Sequence, residues 1–258
     1  MILHIVLHRN VIDIRKENNM FKLNILVVLF LLLNNVEIYG QEKETVTNSN
    51  GWYMYSGNHR LINKWSLHTL VHVRRSNIIT DWQQSLNRIG INYHFNESVI
   101  GAIGYDYVLT FPYGSSPLPE KVQTHASWET MTLKHESGKV NFSHRYRLEQ
   151  LWSAKVSEIN YTYSNRFRYM ILGSIPIYKK VFFSFFDEVF ISFGKNVYYN
   201  NFNQNRIYAG IGYKIKHGDI QMGYMNQLIK KGIGLTYENN NTLMIGINYN
   251  MDLRKGQQ

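Results

Sequence analysis

Along Asn141-Phe142-Ser143-His144-Arg145-Tyr146-Arg147-Leu148-Glu149, large apolar or aromatic side chains alternate with polar ones. A period of two is that of a β-strand with one apolar face. The pattern recurs at Gly51–Leu61, Trp65–Arg75, Asp81–Phe95, Val99–Thr110, Gln123–His135, Lys139–Trp152, Tyr163–Ile175, Val181–Phe193, Asn203–Lys214, Asp219–Gln227 and Thr242–Leu253. Most of these runs are long for globular strands and suit a tilted membrane crossing. Asn63-Lys64, Asn96-Glu97-Ser98, Ser137-Gly138, Pro176-Ile177-Tyr178 and His217-Gly218 read as tight connections, whereas Phe111–Pro119, Ser153–Thr162, Gly194–Phe202 and Leu228–Asn241 read as longer links. Short turns on one side and long links on the other are the asymmetry of outer-membrane barrels. The fold class expected is all-β: an antiparallel up-and-down transmembrane β-barrel of about ten to twelve strands. Bacterial single-chain barrels have even counts. Eleven runs therefore point to ten, if Gly51–Leu61 pairs incompletely, or to twelve, with Gly232–Tyr237 as an extra strand, and twelve is favoured.

The N-terminal region strengthens the export reading. Met20-Phe21-Lys22 precedes the apolar run Ile25–Leu33, and Gly40 stands before the charged stretch Gln41-Glu42-Lys43, as in a cleaved signal peptide. The run is too short for a spanning helix, which needs about 20 apolar residues. The organisation expected is a mis-assigned extension at 1–19, with Met20 as the true start, a signal at 20–40, a short polar segment at 41–50, the barrel at 51–253 and a basic tail at 254–258. There are no cysteines, so closure of the ladder or a packed core must supply stability without disulfides. The net charge of +10 and pI near 9.5 raise the question of nucleic acid. The signal argues against it and favours outer-membrane lipid or lipopolysaccharide as the counter-charge.

Alternation alone also fits a sandwich core or a soluble lipocalin-like barrel with an apolar lumen. The basic residues separate these readings. Arg60, Arg74, Arg88, Arg145, Arg147, Arg166, Arg168 and Arg206 lie inside strands, whereas Lys clusters in turns. A confined polar lumen favours the planar, weakly hydrated guanidinium. The polar face, which also holds Gly104, Gly210, Gly212, Gly223 and Gly246, is therefore placed inside. Val71, Ile89, Ile103, Tyr105, Tyr146, Leu148, Ile207, Ile211, Met222 and Ile247 are placed against lipid. The lumen-lining residues expected are Arg88, Asp106, Arg145, Arg147, Glu149, Arg166, Arg168, Glu188, Arg206 and Asp219, with Asp252 as a further inward acid. In the adjacent acids of β-run Val181–Phe193, Glu188 is expected inside with Ser184 and Ser192, and Asp187 near the rim or bulged inward.

No catalytic constellation emerges. Ser143 and His144 are adjacent and so face opposite sides, and the pairs His125/Ser127 and His68/His72 have no marked acid partner. The ten histidines form no HExxH pattern, so neither a metal site nor a cofactor is expected.

Trp82-Gln83-Gln84, Gly90–Asn96, Thr110–Gly114, Ser143–Gln150, Arg166–Tyr169, Asn203–Gly210 and Gly223–Gln227 together resemble a bacterial family known as domain of unknown function 2490, over nearly the whole mature chain. The resemblance implies an exported barrel of a Gram-negative envelope and carries no activity or catalytic residue with it. One departure from common barrel endings is that the final aromatic, Tyr249, is followed by Asp252, Leu253 and the basic tail. The function expected is an outer-membrane barrel acting as a structural envelope component or as a narrow channel with an Arg-rich lumen. A lipid-modifying outer-membrane enzyme and a soluble periplasmic carrier remain as alternatives. The partners expected are outer-membrane lipid or lipopolysaccharide, the outer-membrane insertion machinery and, for a channel, a small anionic solute.

Overall fold

The computed structural model describes residues 44–114, 117–198, 201–231 and 236–254. The expected extension, signal and residues 41–43, and 255–258 of the basic tail, lie outside them. The described chain forms β1(Thr45–Ile62), β2(Trp65–Ser76), β3(Asp81–His94), β4(Val99–Thr110), β5(Val122–Ser137), β6(Val140–Lys155), β7(Thr162–Tyr178), β8(Val181–Phe193), β9(Phe202–Ile215), β10(Gly218–Lys231) and β11(Thr236–Tyr249), with no helix. Consecutive strands pair antiparallel, and β1 closes the ring on β11. No described helix is long and apolar enough to cross a membrane.

The closing pair explains the strand number. β1 and β11 run parallel, with Ser49 opposite Asn241 and Tyr53 opposite Ile245. An even count is needed only when the first and last strands must be antiparallel, and a parallel seam removes that requirement. The barrel thus has eleven strands, not twelve. β1 is a full member of the ring, paired over Thr45–Ser56 with β11 and over Asn50–Ile62 with β2. Of the extra strand expected at Gly232–Tyr237, Thr236 and Tyr237 instead open β11, and 232–235 lie outside the described residues.

Other boundaries move as well. β1 begins at Thr45, inside the segment read as a polar leader. β6 continues to Lys155. Asn239, Asn240 and Asn241, read as part of a link, are strand residues, because their amides bond across the sheet: Asn226 Nδ2 donates to Asn239 at 2.7 Å and Asn48 Nδ2 to Asn240 at 3.0 Å. Pro176 and Tyr178 belong to β7, with a register shift between them that accommodates proline's missing N–H, and the turn falls at Lys179-Lys180, where Lys179 has φ 48°. Gly138, at φ 59°, makes the tight β5–β6 turn.

The tight turns after β1, β3, β5, β7 and β9 lie at one end of the ring, and the strand ends that the links 77–80 and 156–161 and the described parts of the β4–β5 and β8–β9 links join lie at the other. Outward positions are apolar and open: Ile103 is 64% exposed, Met222 58% and Ile207 55%. Inward positions are polar and covered; Glu149 is 1% exposed and Arg147 3%. Asp187 is neither at the rim nor bulged inward. It stands mid-way along β8 on the outer face, opposite Ile171 and Ile207, and accepts from Asn205 Nδ2 at 2.6 Å. That neighbouring amide replaces the solvent an outward acid would otherwise need.

Candidate functional site

Residues two apart on a strand share a face, so β6 delivers Arg145, Arg147 and Glu149 to the lumen, β7 Arg166 and Arg168, and β8 Glu188 and Phe190. Arg88 of β3 and Asp106 of β4 are opposite one another in register. They form a fork-to-fork pair, Nε to Oδ1 at 2.7 Å and Nη2 to Oδ2 at 2.5 Å. Trp128 Nε1 adds a third bond to Asp106 Oδ1, at 2.6 Å. Glycine makes that indole's position available: a Cβ at Gly104 would stand 2.2 Å from the Trp128 ring, and one at Gly90 2.6 Å.

Two glutamates organise the rest. Glu149 accepts from Arg166 and from Arg168 Nη1, each at 2.6 Å, with Arg147 Nη1 at 3.8 Å. Glu188 accepts from Arg145 and Arg168 at 2.7 Å, with Arg206 at 3.6 Å. Arg168 therefore bridges the two carboxylates. Inward aromatic faces hold the guanidiniums between them: Arg147 lies 4.4 Å from the Trp128 centroid, Arg168 and Arg206 4.3 and 4.5 Å from Phe190, and Arg74 3.8 Å from Trp52. Seven guanidiniums (Arg74, Arg88, Arg145, Arg147, Arg166, Arg168, Arg206) thus gather round three carboxylates (Asp106, Glu149, Glu188), an excess of four positive charges.

Beside the network lies a cavity of about 470 Å³, lined on its charged side by Arg74, Arg145, Arg166 and Arg206 with the paired carboxylates Asp106 and Glu188, and on its apolar side by Leu70, Leu86, Phe186, Met225 and Met244. At the link end, Tyr113 reaches down from the β4–β5 link and donates to Glu238 Oε1 at 2.6 Å, which also accepts from Asn240 at 2.7 Å. Burial and the neighbouring Glu238 carboxylate push the Tyr113 phenol well above its ordinary value. A bulge between Arg74 and Arg75 leaves Gln83 as well as Gln84 facing in, and Gln83 accepts from Trp52 Nε1 at 2.7 Å.

Residues 49–239 match a family described as "Protein of unknown function (DUF2490)". The chain belongs to the DUF2490 family. Neither a curated protein nor a solved structure matches the chain. The DUF2490 match runs from β1 through β10 and ends in the first residues of β11. Within it, Ser143–Gln150 supplies Arg145, Arg147 and Glu149, and Arg166–Tyr169 supplies the two arginines that complete Glu149's coordination.

Of the residues expected in the lumen, Arg88, Asp106, Arg145, Arg147, Glu149, Arg166, Arg168, Glu188 and Arg206 stand in this one network. Asp219 shares the inner face but lies near the turn end, where it accepts from Gln221 and Asn248 at 2.8 and 2.7 Å, apart from the arginines. Asp252 is not inward: it follows β11, pairs with Arg254 and is fully exposed. His68 and His72 face in, whereas His125 packs on the outer tyrosines Tyr105 and Tyr161, and Ser127 bonds Gln150. Among the described residues no group of three His, Cys, Asp or Glu side chains is placed to hold a metal. The sequence reading gave no lumenal role to Trp52, Trp128, Phe190 and Tyr208, which face in, and no face to Glu129, which is outward. The signal for Trp128 was its two glycines on β3 and β4, in register with it across the sheet.

Proposed function

We propose that this DUF2490 protein is an integral β-barrel of the bacterial outer membrane whose lumen is closed by the arginine network, and that it serves as a structural envelope component. The observation that carries this reading is the inversion of faces: exposed isoleucine, leucine and tyrosine outside, buried charge inside. Such an arrangement is stable where the outer solvent is hydrocarbon. A soluble lipocalin-like barrel requires the opposite. Aromatic rings gather toward both ends of the wall, Trp65, Tyr93 and Phe95 beside the tight turns and Trp82, Phe111, Trp152 and Tyr163 beside the links, as interfacial girdles do. The signal-like stretch at 20–40 supplies the export route.

Heat-modifiable migration of detergent-extracted protein, together with its sedimentation with outer membranes, tests the location. A monomer that dissolves in buffer without detergent overturns it. A narrow channel is the second reading, favoured by the cavity beside the network. In planar bilayers the closed barrel gives no steps, whereas anion-selective steps lost on Arg147→Ala and Arg168→Ala establish the channel instead.

A further inference from the structure

Arg74 differs from the other lumenal arginines. It is buried, its guanidinium rests on Trp52, and its partners are neutral, Gln84 Oε1 at 2.5 Å and His72 Nδ1 at 3.4 Å. Its Nε has no hydrogen bond, and no carboxylate among the described residues stands within ion-pair distance. Arg206, itself only 3.6 Å from Glu188 at its nearest approach, lies on the same indole at 5.0 Å. Two guanidiniums thus share Trp52 and both line the cavity. A buried guanidinium with no carboxylate in range, next to a second one that shares Glu188 with Arg145 and Arg168, is disfavoured, and an anion placed beside the two lowers the penalty. Further unpartnered polar atoms belong to the cavity's lining residues: His72 Nε2 and Tyr208 Oη.

The wall next to this pair is not polar. Trp52, Tyr208 and Met225 form one buried cluster with Phe186 and Met244 packed against it. A water-filled pore for a bare anion has no use for such a surface, and an empty apolar cavity forfeits dispersion contacts. One water needs about 10–15 Å³ of such cavity space, so 470 Å³ is far more than one phosphate fills and leaves room for an alkyl chain with its head group.

The structure assigns a ligand site to this cavity: an amphipathic monoanion, with its carboxylate or phosphate between Arg74 and Arg206 and its alkyl tail along Phe186, Met225 and Met244. The site rests on the closed-lumen reading above and gives that lumen an occupant. Arg74 and Arg206 act as the anion clamp, Trp52 as the plate that holds both planar groups, and the methionines as an adaptable tail wall.

The test is calorimetric titration of the full barrel refolded into an amphipol and shown closed by heat-modifiable migration. The probes are decanoate, decyl phosphate, inorganic phosphate and decyltrimethylammonium. Decanoate or decyl phosphate binds at one site, inorganic phosphate at least tenfold more weakly, and decyltrimethylammonium not at all. Preference for decanoate identifies a fatty-acid-type head, and preference for decyl phosphate a phospholipid-type head. Arg74→Gln and, separately, Arg206→Gln each weaken the favoured probe at least tenfold while the heat shift persists. Equal binding of inorganic phosphate, equal binding of the cationic probe, or full affinity in both variants overturns the site. Failure of every probe to bind a heat-shifting barrel overturns the site alone; absence of the heat shift in wild-type protein overturns the membrane reading.

Discussion

Glu149→Gln is the most discriminating single change in the lumen. The carboxylate is 1% exposed and accepts charged hydrogen bonds from Arg166 and Arg168, each at 2.6 Å, with Arg147 at 3.8 Å. Glutamine keeps the shape but halves the acceptors, and its amide donor is forced toward a guanidinium. It also raises the excess positive charge of the arginine network from four to five by removing one of its three carboxylates. Removing one partner of a buried ion pair costs about 3–5 kcal/mol, because the remaining charges stay desolvated. The assay is urea unfolding of the barrel in phosphatidylcholine vesicles, followed by tryptophan fluorescence, with the loss read from the midpoint at unchanged slope. The control is Glu158→Gln, which breaks the exposed 2.8 Å pair with Lys155 and leaves the midpoint almost unchanged. A cycle with Arg166→Gln gives a coupling of about 1.5–3 kcal/mol. If Glu149→Gln costs no more than Glu158→Gln, the carboxylate does not hold the plug together and the closed-lumen argument fails.

Gly104→Val drives a methyl-bearing carbon into the Trp128 ring, 2.2 Å away, and lowers stability by about 1–3 kcal/mol with a changed near-ultraviolet dichroism, whereas Gly246→Ala, whose nearest neighbour is Met54 Cε at 3.3 Å, changes it by less than about 1 kcal/mol. Asp187→Leu stabilises the barrel in vesicles by about 1 kcal/mol, since it removes an acid from mid-strand on the outer face, and a measured loss contradicts lipid contact there. The parallel seam predicts that Ser49→Cys and Asn241→Cys together oxidise to a cross-link in this cysteine-free chain, while Ser49→Cys with Ile247→Cys does not. The Arg254 hydrogen bond holds the Asp252 carboxyl down at about 2. With its folded value depressed, the pair stabilises above the ordinary carboxylate value near 4, and the contribution fades as pH falls from there toward about 2. Arg254→Ala returns the Asp252 midpoint, read by NMR titration, toward about 4.

What the sequence discloses here is period more securely than phase. In β6 the two agree: Arg145, Arg147 and Glu149 alternate with Tyr146 and Leu148, so face and charge are both legible. In β5 they do not. Trp128 turns inward and Glu129 outward, because the indole finds Asp106 as acceptor, two glycines to lie on and two arginines to cover it, while Glu129 takes a hydrogen bond from Gln150 at 3.1 Å. None of those partners is local in sequence. The irregularity opposite Arg74 and Arg75 is also invisible to alternation: it gives β3 one extra residue, so that Gln83 faces the lumen beside Gln84. Strand direction at closure is likewise silent: hydropathy is the same for a parallel or an antiparallel β1–β11 pair, so the even-number rule misled where the backbone found another solution.

That seam joins the fold to the site. Parallel pairing is slightly weaker per residue than antiparallel pairing, which makes β1–β11 the junction most in need of side-chain support. Asn48 on β1 bonds Asn240 on β11 across it, and Tyr113 braces the same strand through Glu238. Four residues along β1 from Asn48 stands Trp52, with Arg74 of β2 3.8 Å and Arg206 of β9 5.0 Å from its ring centroid, one from each side of the seam. A ligand that binds the closed ring and not the opened chain stabilises it by mass action. If the proposed anion site is filled, its occupant therefore stabilises the closed ring beside the seam, and thermal unfolding of the barrel with decanoate or decyl phosphate shifts upward; an unchanged transition counts against that coupling.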